Sequence, residues 1–144
     1  MDNEQLVSAL QAVISPVVLI SGVGMLVLSM TNRFSHASNR LRALAEAWRK
    51  SPELRGQITP QIRILKGRLN ILLVAVAFGL ASVLLTGLLI VTLFANYIFG
   101  TAFRGLIIFF FALSLLTLVC SLAFFIRDMT LALSALDEEL RDIL

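Results

Sequence analysis

One cysteine, one histidine and three prolines in 144 residues leave little from which to build a disulfide scaffold or a metal centre. Cys120 has no partner for an intramolecular bridge. His36 is alone, distant in sequence from Cys120 and without a carboxylate pair nearby, so no metal ligand set and no cofactor site is expected. The chain shows no base beside a plausible nucleophile, no paired carboxylates and no phosphate-cradling glycine loop, so it is not expected to be an enzyme. Charge is missing from three long stretches, residues 6–30, 69–94 and 106–126, which contain no Asp, Glu, Lys, Arg or His.

What fills those stretches is apolar. The composition is 58% hydrophobic with a mean hydropathy of +0.92, far from that of a water-soluble globule. A hydrocarbon core of roughly 30 Å takes about 20 helical residues, so each stretch is long enough to cross it. The fold class expected is therefore an all-α integral membrane protein, one domain over residues 1–144 with three transmembrane helices. The N-terminus carries Asp2 and Glu4 and no basic residue, unlike a signal peptide, so the first span reads as a retained anchor.

The basic residues give an orientation. Nine of the twelve Lys and Arg lie between Arg33 and Arg68, whereas the connection Asn96 to Arg104 has one and the segment before span one has none. Lys and Arg in short loops stay on the cytoplasmic side, so residues 32–68 are expected inside, the N-terminus outside and the C-terminus inside. A bacterial inner membrane is the natural setting. Residues 32–68 sum to nine basic minus two acidic, or +7, and residues 137–144 to one basic minus four acidic, or −3.

The basic segment reads as a helical hairpin. Phe34, Leu41, Ala45 and Trp48 recur at helical intervals, opposite a face holding Arg33, Arg40, Arg42, Arg49 and Lys50. Span one should thus continue to about Lys50 and stop at Ser51-Pro52. A turn of about nine residues is expected next, then a helix with Thr59 as N-cap and Pro60 in its first position, passing Arg63, Lys66 and Arg68 into span two. Residues 127–144 place Leu133, Leu136, Leu140 and Ile143 on one stripe, an amphipathic helix expected to complete a short cytoplasmic bundle, its acids against the basic hairpin.

In hydrocarbon, helix contacts depend on small residues and interhelical hydrogen bonds. Span one places Ser8, Ser15, Gly22 and Ser29 at intervals of seven, with Gln11 beside them; span two has Ala75, Gly79, Ser82 and Thr86. Span three has Ser114, Thr117 and Ser121, with Asp128 one heptad further. These stripes are packing faces, or, for span one, the wall of a pore made by several copies; no acid stands within the membrane to form a selectivity ring. Pro16 removes a backbone hydrogen bond and, with Gly22 and Gly24, forms either a hinge or an accommodating kink. The basic face of Arg40, Arg42, Arg49, Lys50, Arg63, Lys66 and Arg68 suits anionic lipid headgroups or an acidic protein partner. It lacks the interleaved aromatics of a nucleic-acid surface.

The run Ile14-Ser15-Pro16-Val17-Val18-Leu19-Ile20-Ser21-Gly22-Val23-Gly24, followed by Leu28-Ser29-Met30-Thr31-Asn32-Arg33, resembles the opening of a family of small three-helix bacterial membrane proteins known as a domain of unknown function. The likeness, with the basic residues at 63–68 and three spans, covers most of the chain. It implies that the first helix and its exit at Asn32 and Arg33 are the working region, and it brings no activity with it. The reading that follows is a structural or regulatory scaffold acting through the basic hairpin, as a homo-oligomer; the alternative is an oligomeric ion channel lined by span one.

Overall fold

The computed structural model describes residues 2–100 and 103–144, and nearly all of them are helical. Helix α1 runs Asn3–Lys50, α2 runs Arg55–Phe99 and α3 runs Arg104–Ile143, with a 3-10 turn at Pro52–Leu54. No strand occurs among the described residues. Each helix is long and apolar enough to cross a membrane. At about 1.5 Å per residue, a helix of 45–48 residues is about 70 Å long, more than twice a hydrocarbon core of roughly 30 Å. The helices therefore extend well beyond their apolar windows. Of the connection between spans two and three, Thr101 and Ala102 lie outside the described residues.

Local chemistry sets most of the helix ends. Asp2 caps α1 in a capping box with Gln5, whose Oε1 accepts from the Asp2 amide at 3.3 Å. Ser51-Pro52 closes α1 as its residues require, and the Ser51 amide donates to Ala47 O at 3.0 Å. Gly100 adopts φ 60°, the left-handed cap that glycine accepts without a Cβ penalty, and ends α2. α1 runs unbroken through Pro16.

The start of α2 differs from the sequence expectation. The nine-residue turn is replaced by the 3-10 turn, and α2 begins at Arg55, so Thr59 and Pro60 lie inside the helix rather than at its cap. The reason is a contact across the turn. The Arg55 guanidinium stacks over the Trp48 ring at 4.3 Å, and its Nε donates to Trp48 O at 3.0 Å. Trp48 Nε1 in turn donates to Thr59 Oγ1 at 3.3 Å. These contacts hold an extra turn of helix ahead of Pro60, whose missing amide leaves only the exposed Gly56 carbonyl without its helical donor.

α2 is the central element, packed against both α1 and α3. It buries two series at intervals of seven: Ile58, Leu65, Leu72, Gly79 and Thr86, and Ala75, Ser82 and Leu89. α1 contributes Ala9, Val23 and Met30, and α3 contributes Ser114, Ser121 and Asp128, again on sevens. Heptad spacing keeps one seam facing its partner along the whole length. The seam is narrow because its residues are small: a Cβ at Gly79 would lie 2.8 Å from Val27 Cγ2 and 3.2 Å from Ser121 Oγ. Hydrogen bonds cross it where backbones come close. Ser121 Oγ donates to Ala75 O at 2.6 Å and Ser82 Oγ to Ser114 O at 2.9 Å, while Thr86 Oγ1 stands 3.1 Å from Ser114 Oγ. The small and hydroxyl residues that the sequence places on spans two and three thus form the seam between them.

Beyond the apolar windows the third helix does not complete a tight bundle. Leu133, Leu136, Leu140 and Ile143 are all exposed. The seam register set by Ser114, Ser121 and Asp128 carries Ala135 and Asp142 toward the hairpin, which turns the leucine stripe outward. The acids follow that register. Glu138, Glu139 and Asp142 line a cleft of about 400 Å³ opposite Arg40 and Arg68, with Arg40 Nη2 3.8 Å from Glu139 Oε1.

Candidate functional site

The three helices meet at a charge cluster where they leave the apolar windows on the hairpin side. Asp128 of α3 is fully buried, at 0% exposure. Its Oδ2 accepts from Arg33 Nη2 of α1 at 3.2 Å and its Oδ1 from Arg68 Nε of α2 at 3.4 Å. A buried carboxylate with no partner would cost several kcal/mol, and two guanidiniums offset that cost. Arg33 also lies over the Phe125 ring at 5.7 Å, one turn before Asp128 on α3. Below the cluster, Met30 Sδ accepts from Ser121 Oγ at 3.8 Å, so α1 and α3 touch at successive levels.

Sequence position explains why each group is there. Arg33 stands three residues beyond Met30 and Arg68 one residue before Leu69, both where an uninterrupted span ends. Asp128 continues the heptad of Ser114 and Ser121 and is the lone acid between Glu53 and Asp137. The cluster thus carries one residue from each helix at one level, with a net charge of two minus one, or +1.

A groove of about 310 Å³ opens beside the cluster between α1 and α2. Arg33, His36, Arg40 and Arg68 line it over an apolar floor of Leu65 and Leu72. His36 belongs to this groove, whereas Cys120 sits half-buried in the apolar part of α3.

The other sequence-derived positions fall elsewhere. Ser8, Gln11, Ser15, Gly22 and Ser29 are all exposed on α1, and Ser8, Gly22 and Ser29 each stand one position before the buried Ala9, Val23 and Met30. Ser8 Oγ lies 3.3 Å from Tyr97 Oη of α2; apart from the helix's own nearby backbone, nothing among the described residues stands within 4 Å of where a Cβ would be at Gly22 or Gly24. Pro16 is half-buried and Gly24 exposed. Asn32 is exposed beside the cluster without joining it, while Arg33 is at its centre. Arg42, Arg49, Arg63 and Lys66 project from the hairpin exposed and, among the described residues, without an ion-pair partner; Lys50 pairs with Glu46 at 2.6 Å. Asp128 is the cluster residue least marked in the sequence, where its place on the Ser114-Ser121 heptad is its one signal.

A family profile described as "Protein of unknown function (DUF2721)" matches residues 13–138. The chain belongs to this family. The resemblance seen in the opening motif of the first span holds over nearly the whole chain, and the part matched to DUF2721 contains Pro16, Arg33, Arg68 and Asp128. Neither the curated proteins nor the solved structures gave a match.

Proposed function

We propose that this DUF2721 member is a non-catalytic scaffold or regulatory module of a bacterial inner membrane, with its N-terminus outside and its hairpin and C-terminus in the cytoplasm. The observation that carries this reading is the rigid, cationic hairpin. α1 and α2 continue as helices from apolar windows into a turn clamped by Trp48 and Arg55, and they carry Arg42, Arg49, Arg63 and Lys66 exposed. Uninterrupted helix transmits position from the membrane to that surface without a flexible linker. Unpaired cations on such a platform suit an acidic protein surface and the anionic leaflet beside it. The test reverses Arg42, Arg49 and Arg63 to Glu and compares the proteins cross-linked to wild type and variant in cells. Loss of the same partners from the variant supports a scaffold; an unchanged set removes it. Orientation is checked in a Cys120→Ser background, where Gln57→Cys should react from the cytoplasmic side and Ile98→Cys from the other.

A second reading rests on the exposed stripe of α1. Ser15, Ser29 and Gln11 face outward along one side and form no side-chain hydrogen bond among the described residues, so copies of the chain would supply partners across a symmetric contact. That favours a homo-oligomer, and a ring of such helices would place the stripe along a pore. Native mass spectrometry with lipids retained measures the subunit number directly. A monomer removes both the oligomer and the pore.

A further inference from the structure

We infer that the groove between α1 and α2 binds the phosphate of an anionic phospholipid headgroup, held by Arg33, Arg40 and Arg68 with His36 at its edge. The site is built from two helices rather than from a loose surface charge. Arg33, His36, Arg40 and Arg68 surround about 310 Å³, at the lower end of the roughly 300–1,000 Å³ of small-ligand pockets. The electrostatics are incomplete as they stand. Among the described residues the three guanidiniums form ion pairs with one buried carboxylate, Asp128, and one exposed one, Glu139 at 3.8 Å from Arg40, while Glu138 and Asp142 line the neighbouring cleft without pairing with them. Each of Arg33 and Arg68 uses a single nitrogen on Asp128, and Arg33 Nε is buried with no hydrogen-bond partner among the described residues. A phosphate oxygen suits the guanidinium nitrogens of Arg33 and Arg68 that Asp128 does not use, in the geometry guanidinium favours, while the buried Arg33 Nε lies out of its reach.

Position selects a lipid as the source of the phosphate. The groove lies at the level where α1 leaves its apolar window after Met30 and α2 enters its own at Leu69. Leu65 and Leu72 give it an apolar floor running toward the spans, matched to the start of an acyl chain. A soluble phosphate compound would use the cations and leave that floor unoccupied. This inference rests on the proposed membrane setting but not on a protein partner, so an unchanged cross-linking pattern leaves it standing, and failure of lipid binding leaves the scaffold standing.

The full-length chain, delipidated in detergent, is titrated with phosphatidylglycerol or phosphatidylcholine and the bound fraction read by native mass spectrometry. Arg33 and Arg68 also hold Asp128, so the variants avoid them. Arg40→Gln should weaken phosphatidylglycerol binding roughly fivefold, the effect of one cation at the surface, with phosphatidylcholine unaltered. Glu139→Gln, which frees Arg40 from its nearest acid, should tighten it. Arg127→Gln removes an equal charge beside Asp128 but outside the groove and should change little. An equal loss in Arg40→Gln and Arg127→Gln, or no loss in Arg40→Gln, overturns the site. Inorganic phosphate provides the last arm: if it displaces phosphatidylglycerol at equal concentration, the ligand is a soluble phosphate and the lipid assignment is wrong.

Discussion

Replacing Asp128 with alanine removes the carboxylate that Arg33 and Arg68 reach at 3.2 and 3.4 Å, and leaves two guanidiniums facing each other across the bundle. Breaking a buried ion pair by deleting one partner costs about 3–5 kcal/mol. Two features lower the figure here. The Arg33 and Arg68 side chains are 33% and 19% exposed, so water hydrates part of the stranded charge. Both contacts are long and single rather than forked, which makes them weaker than a bidentate pair. The loss should come to about 2–3 kcal/mol, or roughly 30- to 140-fold in the folding equilibrium. Unfolding in mixed micelles by detergent titration, followed through Trp48 fluorescence and far-ultraviolet circular dichroism, reads it directly. A second variant separates charge from packing. Adding Arg68→Met to Asp128→Ala takes away one stranded cation and should recover part of the loss, because groups in contact do not behave additively. An Asp128→Ala protein within about 0.5 kcal/mol of wild type, the change expected of an ordinary surface site, would refute the claim that this cluster holds the three helices together.

Other perturbations should sort by position in the same assay. Gly79→Leu forces a side chain into the point where Val27 and Ser121 approach, and should destabilise by about 1–3 kcal/mol, the usual cost of overpacking. Gly22→Leu, with open space around it, should leave monomer stability unchanged while abolishing ion flux in proteoliposomes if the helix lines a pore. Ser121→Ala loses the bond to Ala75 O and should cost about 0.6 kcal/mol, the average for such bonds in a bilayer. Trp48→Ala releases Arg55 and Thr59, and limited proteolysis should then cut the turn at Pro52–Leu54 faster than in wild type.

Much of this architecture is legible in the chain because it is local. Charge-free stretches, the Ser51-Pro52 stop and the small residues of spans two and three each carry their own physical signal, and the helices form accordingly. The start of α2 is a different matter. Thr59-Pro60 is a sound cap on local grounds, but the Trp48–Arg55 contact joins residues seven apart across a turn and draws the helix back to Arg55. The phase of α1 was hidden for another reason. Ser8, Ser15, Gly22 and Ser29 share the same period as Ala9, Val23 and Met30, and on a helix apolar enough to cross a membrane the apolar character of a face does not say which one turns inward. Asp128 reads as one charge near a membrane end until the fold shows that Arg33, 95 positions earlier, and Arg68, 60 earlier, converge on it.

The distribution of charge over three helices has a consequence for how the chain is made. α1 and α2 are made before α3, and their Arg33 and Arg68 are the two like charges that converge on it in the folded chain. Only the last helix carries the neutralising acid. The first two spans are therefore a half-finished pair until α3 arrives, and a third span inserted in the wrong direction would carry Asp128 to the far side, out of reach of both arginines. A chain truncated before Asp128 lacks the acid that both arginines share, and it should be degraded faster in cells than the full chain.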